Sequence, residues 1–419
     1  MIINSGVTNI ARVLPFEVGK EYKKYDVVYY RGYTDPSPTP ATLHPCLQSE
    51  SGHCYYTGAA ATSTITNRPY GADTEWTTGF FADASYGATV DYEVLNYTTE
   101  FGDGYYNVLN KSENAVRASF STNFTKRTDQ ETKAIIHILE DSFNHGNRPS
   151  GGYSGIPWTP FAPYNQSGEF FVESFTQSYE SPDVNNVSTT FFRETASTTD
   201  WKTLYIPFED TRMDYDNSID GNVATNYFQH DAVFLRQLPG EEELAPSQTG
   251  WYYFTGEKNV DYSAETGILG TEYNSPTGSY PLWTKDEFYF DLNQNISIPQ
   301  NPRFTKQDLD NGFVMRFNEG INKNLLAFPV DLKGRTDKEA LAIVHFLEHH
   351  AGVRLFQFTP PAPYDFTNKV FLAASWSHNI NFKDNNDITV NMREFPIDYL
   401  NLSINFNSLV TVVNQPLKN

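Results

Sequence analysis

Apolar positions recur along this chain at two distinct periods. Ala134, Ile135, Ile138 and Leu139 follow helical spacing, and so do Ala340, Ile343, Val344 and Leu347. Each stripe predicts a helix, at about 128–143 and about 336–350, that lays one apolar face on a sheet. Thr128 with Glu131, and Thr336 with Glu339, fit a capping box, in which hydroxyl and carboxylate satisfy orphan backbone donors reciprocally. After each helix come apolar segments of strand length, Phe170-Phe-Val-Glu-Ser-Phe-Thr and Val370-Phe-Leu-Ala-Ala-Ser-Trp, which read as strands with one buried face. The 26 Gly and 24 Pro are spread along the chain and mark many turns. The fold class is therefore mainly β, in an α+β arrangement.

The two helical patterns belong to a longer internal match. Thr128-Asp-Gln-Glu-Thr-Lys-Ala-Ile-Ile-His-Ile-Leu-Glu140 aligns with Thr336-Asp-Lys-Glu-Ala-Leu-Ala-Ile-Val-His-Phe-Leu-Glu348, an offset of 336 − 128 = 208. Trp158-Thr-Pro-Phe-Ala-Pro-Tyr164 aligns with Phe358-Thr-Pro-Pro-Ala-Pro-Tyr364, and the Asn185–Glu194 block with Asn385–Glu394, both at 200. Four further blocks match upstream, among them Tyr55-Tyr-Thr-Gly58 with Tyr253-Phe-Thr-Gly256. The expected organisation is a tandem duplication. Each half is a small aromatic β domain followed by an antiparallel β domain with one packed helix. The predicted boundaries are 1–85 and 86–200, then 201–290 and 291–419.

Composition narrows the function classes. The 419 residues carry 30 basic against 51 acidic side chains, a net charge of −21. That balance excludes a broad basic nucleic-acid surface and argues against docking on anionic lipid. An aromatic content of 15% supports folded cores. No apolar run reaches the roughly 18–20 residues of a membrane helix. The first twenty residues lack a signal-peptide pattern, so synthesis in the cytosol and a soluble product are expected. Two cysteines, Cys46 and Cys54, are too few for a disulfide framework.

Phe101, Gly102, Asp103, Gly104 and Tyr105 stand between alternating segments, ahead of the helix from Thr128 and the turn carrying Pro160 and Pro163. Copy two keeps the helix and the turn carrying Pro360 and Pro363, and its first motif is reduced to Leu309-Asp-Asn-Gly-Phe313. This ordered set resembles the minor tail protein M family of lambda-like phages. The resemblance implies tail-tube-like domains, a virion location at the phage tail tip, and a ring at the distal end of the tail tube. It implies as partners the tail tube protein and the tip, hub or spike proteins. Two modules per chain suit a trimer with pseudo-six-fold symmetry, with a hexamer as the alternative. DNA would only pass through the lumen, and an acidic lining would keep it from sticking.

Tyr22-Lys-Lys-Tyr-Asp-Val-Val-Tyr-Tyr-Arg-Gly-Tyr33 faintly resembles small chitin-binding modules. On that resemblance Tyr30, Tyr56, Trp76, Trp251 and Trp283 would stack on sugar rings of a host glycan. The alternative is that these rings fill the core of a small β domain. Other chemistry is sparse. His44, Cys46, His53 and Cys54 match no zinc-finger spacing, and His345, Glu348 and His349 miss the zincin order and read as helix surface, as does His137. Asp214, Asp216 and Asp220 only hint at a calcium loop, because position twelve is Tyr227. No catalytic residue, metal site or cofactor is expected. The leading reading is a structural tail-tip or baseplate adaptor. The alternatives are a carbohydrate-binding host-adhesion protein and a cell-wall-degrading tail enzyme.

Overall fold

The computed structural model describes residues 13–35, 42–45, 52–59, 61–64, 67–71, 75–100, 106–111, 115–143, 155–164, 167–193, 206–207, 229–235, 250–255, 283–293, 298–299, 302, 304–309, 312–318, 324–363 and 369–395. Among these the protein is mainly antiparallel β-structure with two helices, α1 (Asp129–Phe143) and α2 (Asp337–His350). The chain divides into two compact units. Unit 1 comprises Met1–Asp91, Ala118–Ala196 and Asn379–Phe382, and unit 2 comprises Tyr92–Arg117, Ser197–His378 and Lys383–Asn419.

In unit 1 the N-terminal aromatic segments form a four-stranded sheet. Leu14–Pro15 runs parallel to Val27–Tyr30, which pairs antiparallel with Gly52–Tyr56, which pairs with Trp76–Thr77. Its core is Phe16, Tyr22, Val28, Tyr30, Cys54, Tyr56 and Trp76. A second sheet runs in the order Ile156–Trp158, Gly168–Ser181, Val184–Arg193, Val116–Arg127. Along Val184–Arg193 burial alternates, placing Asn185, Val187, Thr189 and Phe191 inward, as a strand packed on one face requires. The two-residue turn before it sets Asp183 at φ 58°, a left-handed geometry that Asp tolerates.

Unit 2 has a sheet of the same order built from Ile206–Pro207, Ala232–Leu235, Gly250–Phe254 and Trp283–Thr284, again with one parallel and two antiparallel pairings. Its larger sheet contains Val370–Phe382, Asn385–Phe395 and Ala327–Arg335. The helices lie on these larger sheets, α1 on the strands Gly168–Ser181 and Val184–Arg193, α2 on Asn385–Phe395 and Ala327–Arg335.

The helices are buried further round than a single apolar stripe predicts. All of Ala134 to Leu139 is buried in α1, and Ala340, Ala342, Ile343, Val344, Phe346, Leu347 and His350 in α2. The aromatic sheet covers the side that the larger sheet leaves open. A helix covered on two sides loses its polar face there, which explains the apolar positions outside the stripe.

Candidate functional site

The two faces of each helix meet at a histidine. Tyr55 Oη lies 2.9 Å from His137 Nδ1, with both residues buried. In unit 2, Tyr253 Oη lies 2.9 Å from His345 Nδ1, and the Trp251 ring sits 4.3 Å from the imidazole, edge to face. Burial pushes His137 down to about 4, helped by neighbouring His53 and opposed by Asp141. Burial alone pushes His345 down to about 4. Both imidazoles are thus neutral at pH 7, and each shares a hydrogen bond with its tyrosine hydroxyl through Nδ1. The surface reading of His137 and His345 is corrected: they dock the aromatic sheet onto the helix.

The helix starts are clamped by an arginine. Thr128 Oγ1 accepts from Glu131 N at 3.2 Å, and Thr336 Oγ1 from Glu339 N at 3.3 Å, the hydroxyl half of a capping box. The carboxylate half differs from expectation. Arg127 Nη1 donates to Glu131 Oε1 at 2.9 Å, and Arg335 Nη1 to Glu339 Oε1 at 2.7 Å. A charge-assisted bond from the preceding guanidinium outcompetes a neutral backbone N–H. Each guanidinium also reaches back to a carbonyl, Arg127 to Asp83 O and Arg335 to Asp291 O. A β-bulge aims these arginines. The pairing register slips between Phe124 and Arg127 and between Leu332 and Arg335, with Lys126 at φ 57° and Gly334 at φ 68°. Asp129 Oδ1 then accepts from Asn185 Nδ2 at 2.7 Å, and Asp337 Oδ1 from Asn386 Nδ2 at 2.8 Å. The arginines and Asn386 were not singled out from sequence, although the shared Arg-Thr-Asp triplet at 127–129 and 335–337 is their visible trace.

Two hairpins carry much of the exposed apolar surface. Asn96–Glu100 pairs with Tyr106–Asn110, and Phe304–Asp308 with Val314–Asn318. In the second, every residue of 304–309 and 312–317 is exposed, including Phe304, Leu309, Phe313, Val314, Met315 and Phe317. Lys306 and Arg316 stand opposite each other in register, and the Arg316 guanidinium lies 5.0 Å from the Phe304 ring centroid.

The remaining predicted residues divide clearly. Phe101, Gly102, Asp103, Gly104 and Tyr105 lie outside the described residues, and the strands flanking them pair with each other. Pro160 and Pro360 are buried, and the Ala162–Pro163 and Ala362–Pro363 bonds are both cis. Tyr30, Tyr56, Trp76, Trp251 and Trp283 are all buried. Trp76 packs within 6 Å of the rings of Phe16, Tyr22 and Tyr56, so its faces belong to the core. His53 Nδ1 pairs with Asp141 Oδ2 at 3.1 Å, while Cys54 on the other face is buried with its Sγ 3.9 Å from Gly52 O. Cys46, Asp214, Asp216 and Asp220 lie outside the described residues. At the end of α2, Arg354 Nη1 lies 2.9 Å from His349 Nε2 and His350 Nδ1 lies 2.7 Å from Phe346 O. Among the described residues no three His, Cys, Asp or Glu side chains converge to hold a metal ion, and no helix is long and apolar enough to cross a membrane. The assembled geometry is one of docking and clamping.

Residues 286–395 match the phage minor tail protein family. This span holds the exposed hairpin, the bulged strand, α2 and the two closing strands. The chain is also similar to tail tip protein M of Escherichia phage lambda, 28% identical over 93 residues, which is 22% of this chain and 83% of that protein. The C-terminal residues 286–395 are thus similar to the phage minor tail proteins.

Proposed function

We propose that this chain is a structural component of the phage tail, built as a tandem duplication, whose copies close into a ring at the distal end of the tail tube and join tube to tip. The observation that carries the reading is one set of interactions occurring twice. Arg127, Glu131 and the Asp83 carbonyl correspond to Arg335, Glu339 and the Asp291 carbonyl, with 335 − 127 = 208, 339 − 131 = 208 and 291 − 83 = 208. The hairpins keep the same spacing, 304 − 96 = 208. In the closing strands Asn185 faces Arg127 and Asn386 faces Arg335, so the spacing is 386 − 185 = 201, one more than sequence alignment assigns to that block.

Two equivalent modules per chain allow three copies to meet a six-fold tube. Its partners in this reading are further copies of itself, the tail tube protein and the tip, hub or spike proteins. The role is mechanical and not catalytic, and the protein resides in the virion. DNA only passes through, and the net charge of −21 keeps phosphates from adhering to the ring. Negative-stain imaging of the full chain, with native mass, tests this. Closed rings of three chains are expected. Rings of six chains would replace the trimer by a hexamer, and monomers at every concentration would overturn the ring.

A further inference from the structure

Within unit 2 the chain leaves α2 through a turn at 351–354 that is held from two sides. On one side Arg354 Nη1 lies 2.9 Å from His349 Nε2, and the amides of Val353 and Arg354 donate to His350 O at 3.0 and 2.9 Å. On the other side the turn meets the strand that runs into the first hairpin. Asn96 Nδ2 donates to Gly352 O at 3.2 Å, and a Cβ on Gly352 would stand 2.8 Å from Val94 Cγ1. Ala351 sits at φ 45°, a left-handed conformation that alanine keeps only where surrounding contacts impose it.

The contact between Arg354 and His349 fixes a protonation state. A guanidinium carries only donors, so His349 Nε2 presents its lone pair. A second proton on His349 would set two donors against each other and break the contact. The surrounding cations act in the same direction. His345 and His350 face the imidazole from α2, the His350 ring centroid 5.4 Å away, and Lys285 faces it from the segment 283–290. The strand Gly250–Phe254 contributes the phenols of Tyr252 and Tyr253, which burial pushes up. Of the acids nearby, Asp286 lies 3.8 Å from His350 Nε2 with its own carboxyl pushed up by burial, and Glu348 acts on Tyr253. Burial, His350 and Arg354 together hold His349 well below its ordinary 6.5. Helix α1 carries the opposite sign at the matching position. Its sequence aligns with that of α2 at an offset of 208, which sets Asp141 in the place of His349, and Asp141 Oδ2 lies 3.1 Å from His53 Nδ1.

We propose that His349 and Arg354 form an acid-sensitive latch, in which protonation of His349 expels Arg354, opens the turn 351–354 and unseats the strand at Val94 and Asn96. The device thereby frees the root of the first hairpin, Asn96–Glu100 with Tyr106–Asn110. In the open state the imidazole stands in water and takes its proton near the ordinary value of about 6.5. The closed state refuses that proton. The latch is therefore complete above pH 6.5, and its open population grows by up to about tenfold for each pH unit below.

Hydrogen exchange of the full chain at pH 7.5 and pH 5.5 tests this, with opening constants corrected for intrinsic exchange. The Val353 and Arg354 amides are expected to open about tenfold more often at pH 5.5. His349→Gln keeps an acceptor for Arg354 at every pH and should abolish the difference. Arg354→Gln removes the cation, and its amide oxygen accepts from a protonated imidazole, so it too should flatten the response. A wild-type turn that opens equally at both pH values overturns the latch without any variant. A tenfold response that survives in either variant assigns it to the other buried histidines and overturns the latch as well.

Discussion

Tyr55 and His137 are separated by 82 positions in sequence and by 2.9 Å in space, and their hydrogen bond joins the aromatic sheet to α1 inside the core of unit 1. Removing the hydroxyl leaves a buried imidazole nitrogen without this partner. Tyr55→Phe is expected to lower unfolding stability by about 1–2 kcal/mol, because the desolvation of the orphaned nitrogen is no longer offset. Tyr253→Phe should do the same through His345. Urea unfolding of each variant measures it, and an unchanged midpoint would show that the pair contributes nothing.

Acid should weaken the fold in a defined window. His137, His345 and His378 are each pushed down to about 4 by burial, from an ordinary 6.5. Below pH 6.5 the unfolded chain takes up protons that the folded chain refuses. Stability is therefore complete above pH 6.5 and declines toward pH 4, by up to about 3 kcal/mol for each imidazole. Unfolding free energies at pH 7.5 and pH 5 should differ accordingly, and equal values would remove the buried histidines as the cause.

Arg335 closes the start of α2. Arg335→Ala leaves the largely buried Glu339 carboxylate without its cation and should cost about 2–3 kcal/mol. Arg335→Lys should recover only part of this, because a lysine cannot bond Glu339, the Asp291 carbonyl and Asn293 Oδ1 in one plane. Thermal unfolding of the two variants ranks them, and full rescue by lysine would contradict the clamp geometry.

Two glycines with positive φ should respond differently to alanine. Gly19 at φ 86° has open space around its missing Cβ, so Gly19→Ala pays only backbone strain, about 1 kcal/mol. Gly352 at φ 62° meets Val94 and Asn96, so Gly352→Ala should cost at least about 2 kcal/mol and loosen the first hairpin. Hydrogen exchange at residues 92–96 would report the loosening, and equal effects of the two changes would refute the close approach.

The amino-acid sequence by itself determined the element types, both helix starts, the repeated blocks and the mainly β class. These depend on local periodicity and on Thr, Gly and Pro chemistry, which act within a few residues. The aromatic strands were legible as strands, but whether Tyr56 and Trp76 met a sugar or a core depended on what packs over them, and only tertiary structure decided for the core. The same holds for His137 and His345, whose helical positions look solvent-facing until a second sheet covers that side. The Arg127 and Arg335 clamps depend on a bulge that re-aims one side chain, and a one-residue irregularity leaves no period to read. Which hairpin root is seated and which stands exposed also follows from contacts far apart in sequence. Asn96 and Phe304, both at the start of a hairpin, therefore acquire different surroundings only in the folded chain.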